Sequence, residues 1–277
     1  MSTLAACFEN APEQHTPVDL QIHGQIPPWL SGVLYRTGPG TTRIPTTADA
    51  SKTVDIQHWF DGLALHHRFE IFPGGERVSY RSHCGSEDLQ KQIADAGKYP
   101  TISFGQQGDP CQSIFRKFFT FFQTMRDLRA GPALSPSGVN VSVTLTPNMP
   151  GLDVEATGLP TPATAPRNLV AKTDAHMLQF LDPTTLKPLR VATYQEIDPR
   201  LDGVLSAAHS CEDPITGDFY NYSCKFGRLP TYKMFKIGKD NKVDILAEIK
   251  DAPASYIHSF AMTGRFVILT VWQAYIK

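Results

Sequence analysis

An all-β fold of many short antiparallel strands is predicted for this chain of 277 residues. Short runs alternate apolar with polar residues, the pattern of strands with one buried face. Tight-turn signals lie between several of these runs. The 22 prolines and 20 glycines are spread over the whole length, which leaves little room for long helices.

In chain order, the strand-like runs are "GVLYR" (32–36), "LALHHRFEIF" (63–72), "ERVSYRSHC" (76–84), "GVNVSVTLT" (138–146), "DFYNYSCKF" (218–226), "TYKMFKI" (231–237) and "RFVILTVW" (265–272). The turns are "PGG" (73–75), "DPTT" (182–185), "DPITGD" (213–218) and "GKDNK" (238–242). Strands joined in this way build a sandwich, a barrel or a β-propeller. A propeller blade takes roughly 40–50 residues, so the length would supply about five or six compact blades. No fixed-period repeat decides the count. The segment 147–168, rich in proline and small residues, reads as a long surface loop, and residues 1–277 read as one domain.

One segment breaks the β pattern. "DPCQSIFRKFFTFFQTMRDLRAG" (109–131) is expected to be helical, with Asp109 as N-cap, Pro110 in the first helical position and Gly131 at the stop. Its five phenylalanines between Phe115 and Phe122, mixed with Arg116 and Lys117, suit either a core-packing helix or an interfacial membrane helix.

With 26 basic and 27 acidic residues the net charge is -1, which leaves no field to attract nucleic acid. The five cysteines form no CxxC pair and no dense framework, as expected in a reducing cytoplasm. The N-terminal stretch lacks a signal-peptide pattern, and no run approaches the roughly 20 apolar residues of a membrane span. Neither secretion by that route nor a transmembrane span is expected.

No glycine-rich phosphate loop, GxSxG elbow or HExxH helix is present, so hydrolysis and phosphoryl transfer lose their usual signatures. Histidine in unusual settings remains. His209 in "SAAHSCEDPITGDFYNYS" and His258 in "YIHSFAMTGRFVILT" each stand at the start of a strand–turn–strand unit. A neutral imidazole suits iron, copper, nickel and zinc alike, and it also serves as a hydrogen-bonded structural group.

"GQIPPWLSGVLYRTGPG" (24–40), "HWFDGLALHHRFEI" (58–71), "DPCQSIFRKFFTFF" (109–122), "KTDAHMLQFLDPTTLKPL" (172–189), "AAHSCEDPITGDFYNY" (207–222) and "ASYIHSFAMTGRFVIL" (254–269) together resemble the carotenoid cleavage oxygenase family. The segment from 100 to 122 is most similar to animal and fungal carotenoid-cleaving members. The resemblance implies a seven-bladed β-propeller with a non-haem Fe2+ ion held on its axis by four histidines, under a cap of loops and helix that forms an apolar tunnel. His209 and His258 match the first two iron ligands. Asp174 matches an acidic residue that orients a ligand from behind, although an aspartate there also suits a capped turn.

The implied reaction is cleavage of one C=C bond of a carotenoid or apocarotenoid by O2, giving aldehyde products. A stilbene-cleaving dioxygenase and a non-catalytic polyene binder are the alternatives. The resemblance also turns the 109–131 segment into a membrane-dipping patch of Phe115, Phe118, Phe119 and Phe122, so a cytoplasmic, peripherally membrane-associated protein is expected. His58 to Gly62 read as a structural turn with core aromatics, and Arg36 and Gly38 as a turn with a buried ion pair. Lys277 falls before the regions that carry the third and fourth ligands in the family, so an N-terminal portion with impaired activity is expected.

Overall fold

The computed structural model describes residues 8–99, 135–152, 165–227, 229–253 and 255–271. Three four-stranded antiparallel sheets dominate them. Sheet I contains β1 (Val18–Asp19), β2 (Gly32–Thr41), β5 (Leu63–Ile71) and β6 (Val78–Cys84) in the order β1-β6-β5-β2. The first strand thus occupies the position beyond β6 and closes that edge. A small ribbon of β3 (Arg43–Pro45) and β4 (Thr53–Asp55) flanks the sheet.

Sheet II is a meander of β7 (Thr144–Pro147), β8 (Leu169–Lys172), β9 (Met177–Leu181) and β10 (Pro188–Thr193). Sheet III repeats it with β11 (Cys211–Glu212), β12 (Phe219–Lys225), β13 (Thr231–Ile237) and β14 (Val243–Ile249). A ribbon of β15 (Ala261–Met262) and β16 (Val267–Ile268) follows.

All four turn signals lie between paired strands. In the 182–185 turn, the Asp182 carboxylate accepts from the Thr184 and Thr185 backbone N–H groups at 2.9 and 2.6 Å. The Asp213 carboxylate does the same for Ile215 at 2.8 Å, so each aspartate replaces the backbone acceptor a tight turn lacks.

Two apolar clusters bind sheets II and III. Along β12 and β13, Tyr222, Cys224, Tyr232 and Met234 enter one cluster, whereas Phe219, Phe235 and Ile237 enter the other. Successive side chains point to opposite faces of a strand, so β12 and β13 are covered on both faces, whereas no residue of β14 is fully buried. Beside sheet I, the helix α1 (Glu87–Ala96) packs Leu89 and Ile93 against Ile44, Val54 and Leu63. Gly97 ends it in the left-handed region at φ 64°, and its N–H donates to the Ile93 carbonyl.

Several expectations change. Of the 138–146 run, only residues 144–146 enter a strand, β7 (Thr144–Pro147). Val139 and Val141 are buried without ladder pairing, because Asn140 instead bonds the Ala64 N–H and the Gly62 carbonyl. The 265–272 run contributes only Val267–Ile268 among the described residues. Arg36 and Gly38 lie inside β2, opposite His67 and Leu65, and Arg36 is exposed rather than part of a buried ion pair. Trp59 and Phe60 sit on a 3-10 turn at 42% and 61% exposure, so they are not core aromatics among the described residues. Segment 109–131 lies outside the described residues, as does most of 147–168.

Candidate metal centre

His209 and His258 occupy equivalent places, each two or three residues before the first strand of a ribbon or sheet, β11 and β15. The His209 N–H donates to the His258 carbonyl at 3.3 Å, and their imidazole centroids are 4.6 Å apart at 67°. Hydroxyls anchor the carbonyl preceding each ring. Thr144 Oγ1 donates to Ala208 O at 2.7 Å, and the buried Tyr222 hydroxyl donates to Ile257 O at 2.8 Å. Behind His209, Asn221 both accepts from the Ala207 N–H and donates to its carbonyl at 3.0 Å. Side chains thereby satisfy backbone groups that no ladder pairs.

Asp174, in the turn between β8 and β9, ties these segments together. Its backbone carbonyl accepts from Ser206 N–H at 3.1 Å. Its carboxylate lies 3.0 and 3.1 Å from His258 Nδ1, accepts from the Tyr256 hydroxyl at 2.5 Å and takes the Ala208 N–H at 3.3 Å. A carboxylate facing Nδ1 favours the tautomer with its proton there, which leaves the Nε2 lone pair for an electrophile. The Asp174 side chain is 12% exposed and that of His258 is 43% exposed, so the acid is inside and the imidazole looks outward.

Electrostatics separates the two rings. The hydrogen bond that His258 donates to the Asp174 carboxylate raises the His258 pKa above its ordinary value, against a smaller opposing effect of burial. Partial burial, followed by the charge of His258, lowers that of His209. Burial, followed by the Asp174 charge, raises the Tyr256 pKa and keeps its hydroxyl a donor. Two adjacent imidazoles, one oriented by a carboxylate, are nitrogen donors of the kind that a divalent transition metal ion such as Fe2+ accepts.

His209, His258 and Asp174 are therefore brought together from segments far apart in sequence. The patch of Phe115, Phe118, Phe119 and Phe122 falls outside the described residues. Tyr256, Thr144 and Lys172 were not singled out by the sequence. Lys172 is 2% exposed, bonds the Ser210 hydroxyl next to His209, and places Nζ 5.1 Å from the Phe219 ring centroid. Burial pushes its pKa down to about 7. A lysine ending the run "LVAK" was the available signal.

Repeated four-stranded meanders with donors at the entries to successive first strands define a propeller-type β protein. The chain belongs to the family described as retinal pigment epithelial membrane protein, whose model matches residues 7–277. Its relatives include a carotenoid dioxygenase of Neurospora crassa, 37% identical over 96% of this chain and 46% of the relative. A torulene dioxygenase of Gibberella fujikuroi is 35% identical over the same shares. The chain spans about half the length of the curated relatives it matches. Among solved structures, a Synechocystis apocarotenoid oxygenase aligns with TM-score 0.59 at 22% identity, covering 94% of this chain and 47% of the other. The Pseudomonas brassicacearum lignostilbene dioxygenase aligns with TM-score 0.60 at 21% identity, over 94% and 45%. These two likenesses concern the fold, which is that of the carotenoid oxygenase propellers.

Proposed function

We propose that this chain carries part of a carotenoid-cleaving dioxygenase that uses O2 to split one C=C bond of a carotenoid or apocarotenoid into aldehyde products. The observation that carries the reading is the His209–His258 pair backed by Asp174. The likeness to fungal carotenoid and torulene dioxygenases supports the substrate class.

His209 and His258 would hold a non-haem Fe2+ ion through ring nitrogens, as two of the four histidines the family resemblance implies. When bound, that ion supplies the means of activating O2 beside the polyene. Asp174 keeps the His258 proton on Nδ1 and fixes the plane of the ring. Tyr256 holds the Asp174 carboxylate in place by donating to it. Thr144 and Tyr222 fix the backbone from which the two imidazoles project. No side chain here needs to act as a general acid or base.

The Phe-rich segment, as a peripheral membrane contact, would bring substrate to the site without passage through water. No helix among the described residues is long and apolar enough to cross a membrane.

The test is anaerobic Fe2+ loading of the full protein, followed by incubation with a C40 carotenoid or with a hydroxystilbene under O2. An apocarotenoid aldehyde from the carotenoid is expected. Product from the hydroxystilbene alone would move the protein to stilbene cleavage, and carotenoid retention with no product would make it a binder.

A further inference from the structure

A second group of donors gathers where the N-terminal arm crosses sheet I, on elements separate from the His209–His258 pair. Ligand atoms of Glu13, His83 and Glu87 all lie within 4.8 Å of one another. His15 joins them. Its Nε2 is 2.6 Å from the second Glu13 oxygen, and its ring meets that of His83 at 4.9 Å and 88°.

The arm that brings Glu13 and His15 to this place is held by its backbone. Gln14 N–H donates to Ser82 Oγ and Ser82 N–H donates to Gln14 O, both at 2.8 Å. Arg81 Nε donates to His15 O at 3.1 Å, and the Cys84 N–H donates to the Glu13 carboxylate. His83, on β6, is 4% exposed, and its Nδ1 lies 2.9 Å from the Cys84 carbonyl. The same Nδ1 is 4.0 Å from a Glu87 carboxylate oxygen, and its donation to the Cys84 carbonyl would leave the Nε2 lone pair for an ion, as is usual in metal-binding histidines. Among the described residues no hydrogen bond engages that second nitrogen.

We propose that Glu13, His15, His83 and Glu87 form a binding site for one divalent transition metal ion of the zinc class. Two imidazole nitrogens and two carboxylate oxygens make a mixed donor set that zinc accepts in tetrahedral geometry. Donors at about 2.0–2.1 Å from such an ion stand roughly 3.4 Å from one another, so Glu13, His83 and Glu87 must close by up to about 1.4 Å from their 4.8 Å spread, and His15, which stands outside that group, must swing in beside Glu13. The Glu87 and His15 side chains, 51% and 56% exposed, have the freedom to do so. The ion would pin the arm to sheet I, whose outer strand β1 has only two residues, Val18–Asp19.

The proposal does not rest on the function above, because none of its donors belongs to the other pair. The full chain bearing His209→Ala and His258→Ala is titrated with Co2+ as a spectroscopic stand-in for Zn2+. One equivalent with a tetrahedral visible band, displaced by Zn2+, is expected. Glu87→Gln and His15→Gln, both at exposed positions, are each expected to weaken Co2+ and Zn2+ binding by about tenfold or more while the metal-free circular dichroism is unchanged. Absence of the band in the parent, or an affinity unchanged from the parent in both variants, would overturn the proposal.

Discussion

At the scale of single residues, burial sets the charge state of one histidine, His66. His66 is fully buried on β5, with Nδ1 2.9 Å from Thr37 Oγ1, and burial pushes its pKa down to about 3. In the unfolded chain it would titrate near the ordinary value of about 6.5. Between these values the unfolded state takes up a proton that the folded state refuses. The stability is therefore full above about pH 6.5 and is lost as the pH falls towards 3, on the order of 1.4 kcal/mol per unit. Urea unfolding of wild type and His66→Gln from pH 7 to pH 4 checks this. The wild type is expected to lose stability more steeply, and parallel curves would contradict the assignment. His209 and His258 stood out by their repeated local context, and the family resemblance marked them, with Asp174, as candidate site residues. Tyr256 and Thr144 were not legible. Their roles depend on hydroxyls meeting partners 82 and 64 residues away, which periodicity does not encode.

At the scale of elements, two glycines with left-handed backbone separate strain from crowding. Gly97 ends α1 at φ +64°, and a Cβ there would meet nothing closer than 4.0 Å. Gly75, in the turn joining β5 to β6, has φ +72°, and a Cβ there would come within 2.6 Å of the Ile26 carbonyl oxygen. Gly97→Ala is expected to cost about 1 kcal/mol for the conformation alone, and Gly75→Ala about 2–3 kcal/mol because the backbone must also move. Chemical denaturation orders the two, and equal costs would contradict the crowding at Gly75. The helix α1 was missed although Ser86, the acidic pair Glu87 and Asp88, the Leu89–Ile93 spacing and Gly97 all mark it. The strands β8 and β9 were missed for a different reason. Every residue in both is buried, so the alternation that reveals a half-exposed strand is absent. For the Phe-rich segment, replacing Phe115, Phe118, Phe119 and Phe122 by serine is expected to abolish co-sedimentation with liposomes. Undiminished binding would contradict the membrane reading.

At the scale of the whole molecule, the all-β class and the recurring strand–turn–strand order were legible, since proline, glycine and aspartate turns are local signals. The arrangement into three sheets was not, because it depends on which faces are covered twice by the clusters linking sheets II and III. Under the proposed function, His209 at the entry to sheet III and His258 at the entry to the β15–β16 ribbon hold one Fe2+ ion, with Asp174 behind. Iron content after anaerobic Fe2+ loading and desalting of the full protein tests it most directly, with Glu87→Gln as the control for the arm site. Near-stoichiometric iron is expected in wild type and Glu87→Gln, with loss in His209→Ala and His258→Ala. Asp174→Asn is expected to weaken retention about 10–100-fold. Iron that survives both histidine substitutions made in the Glu87→Gln background, or that disappears with Glu87→Gln alone, would contradict the account.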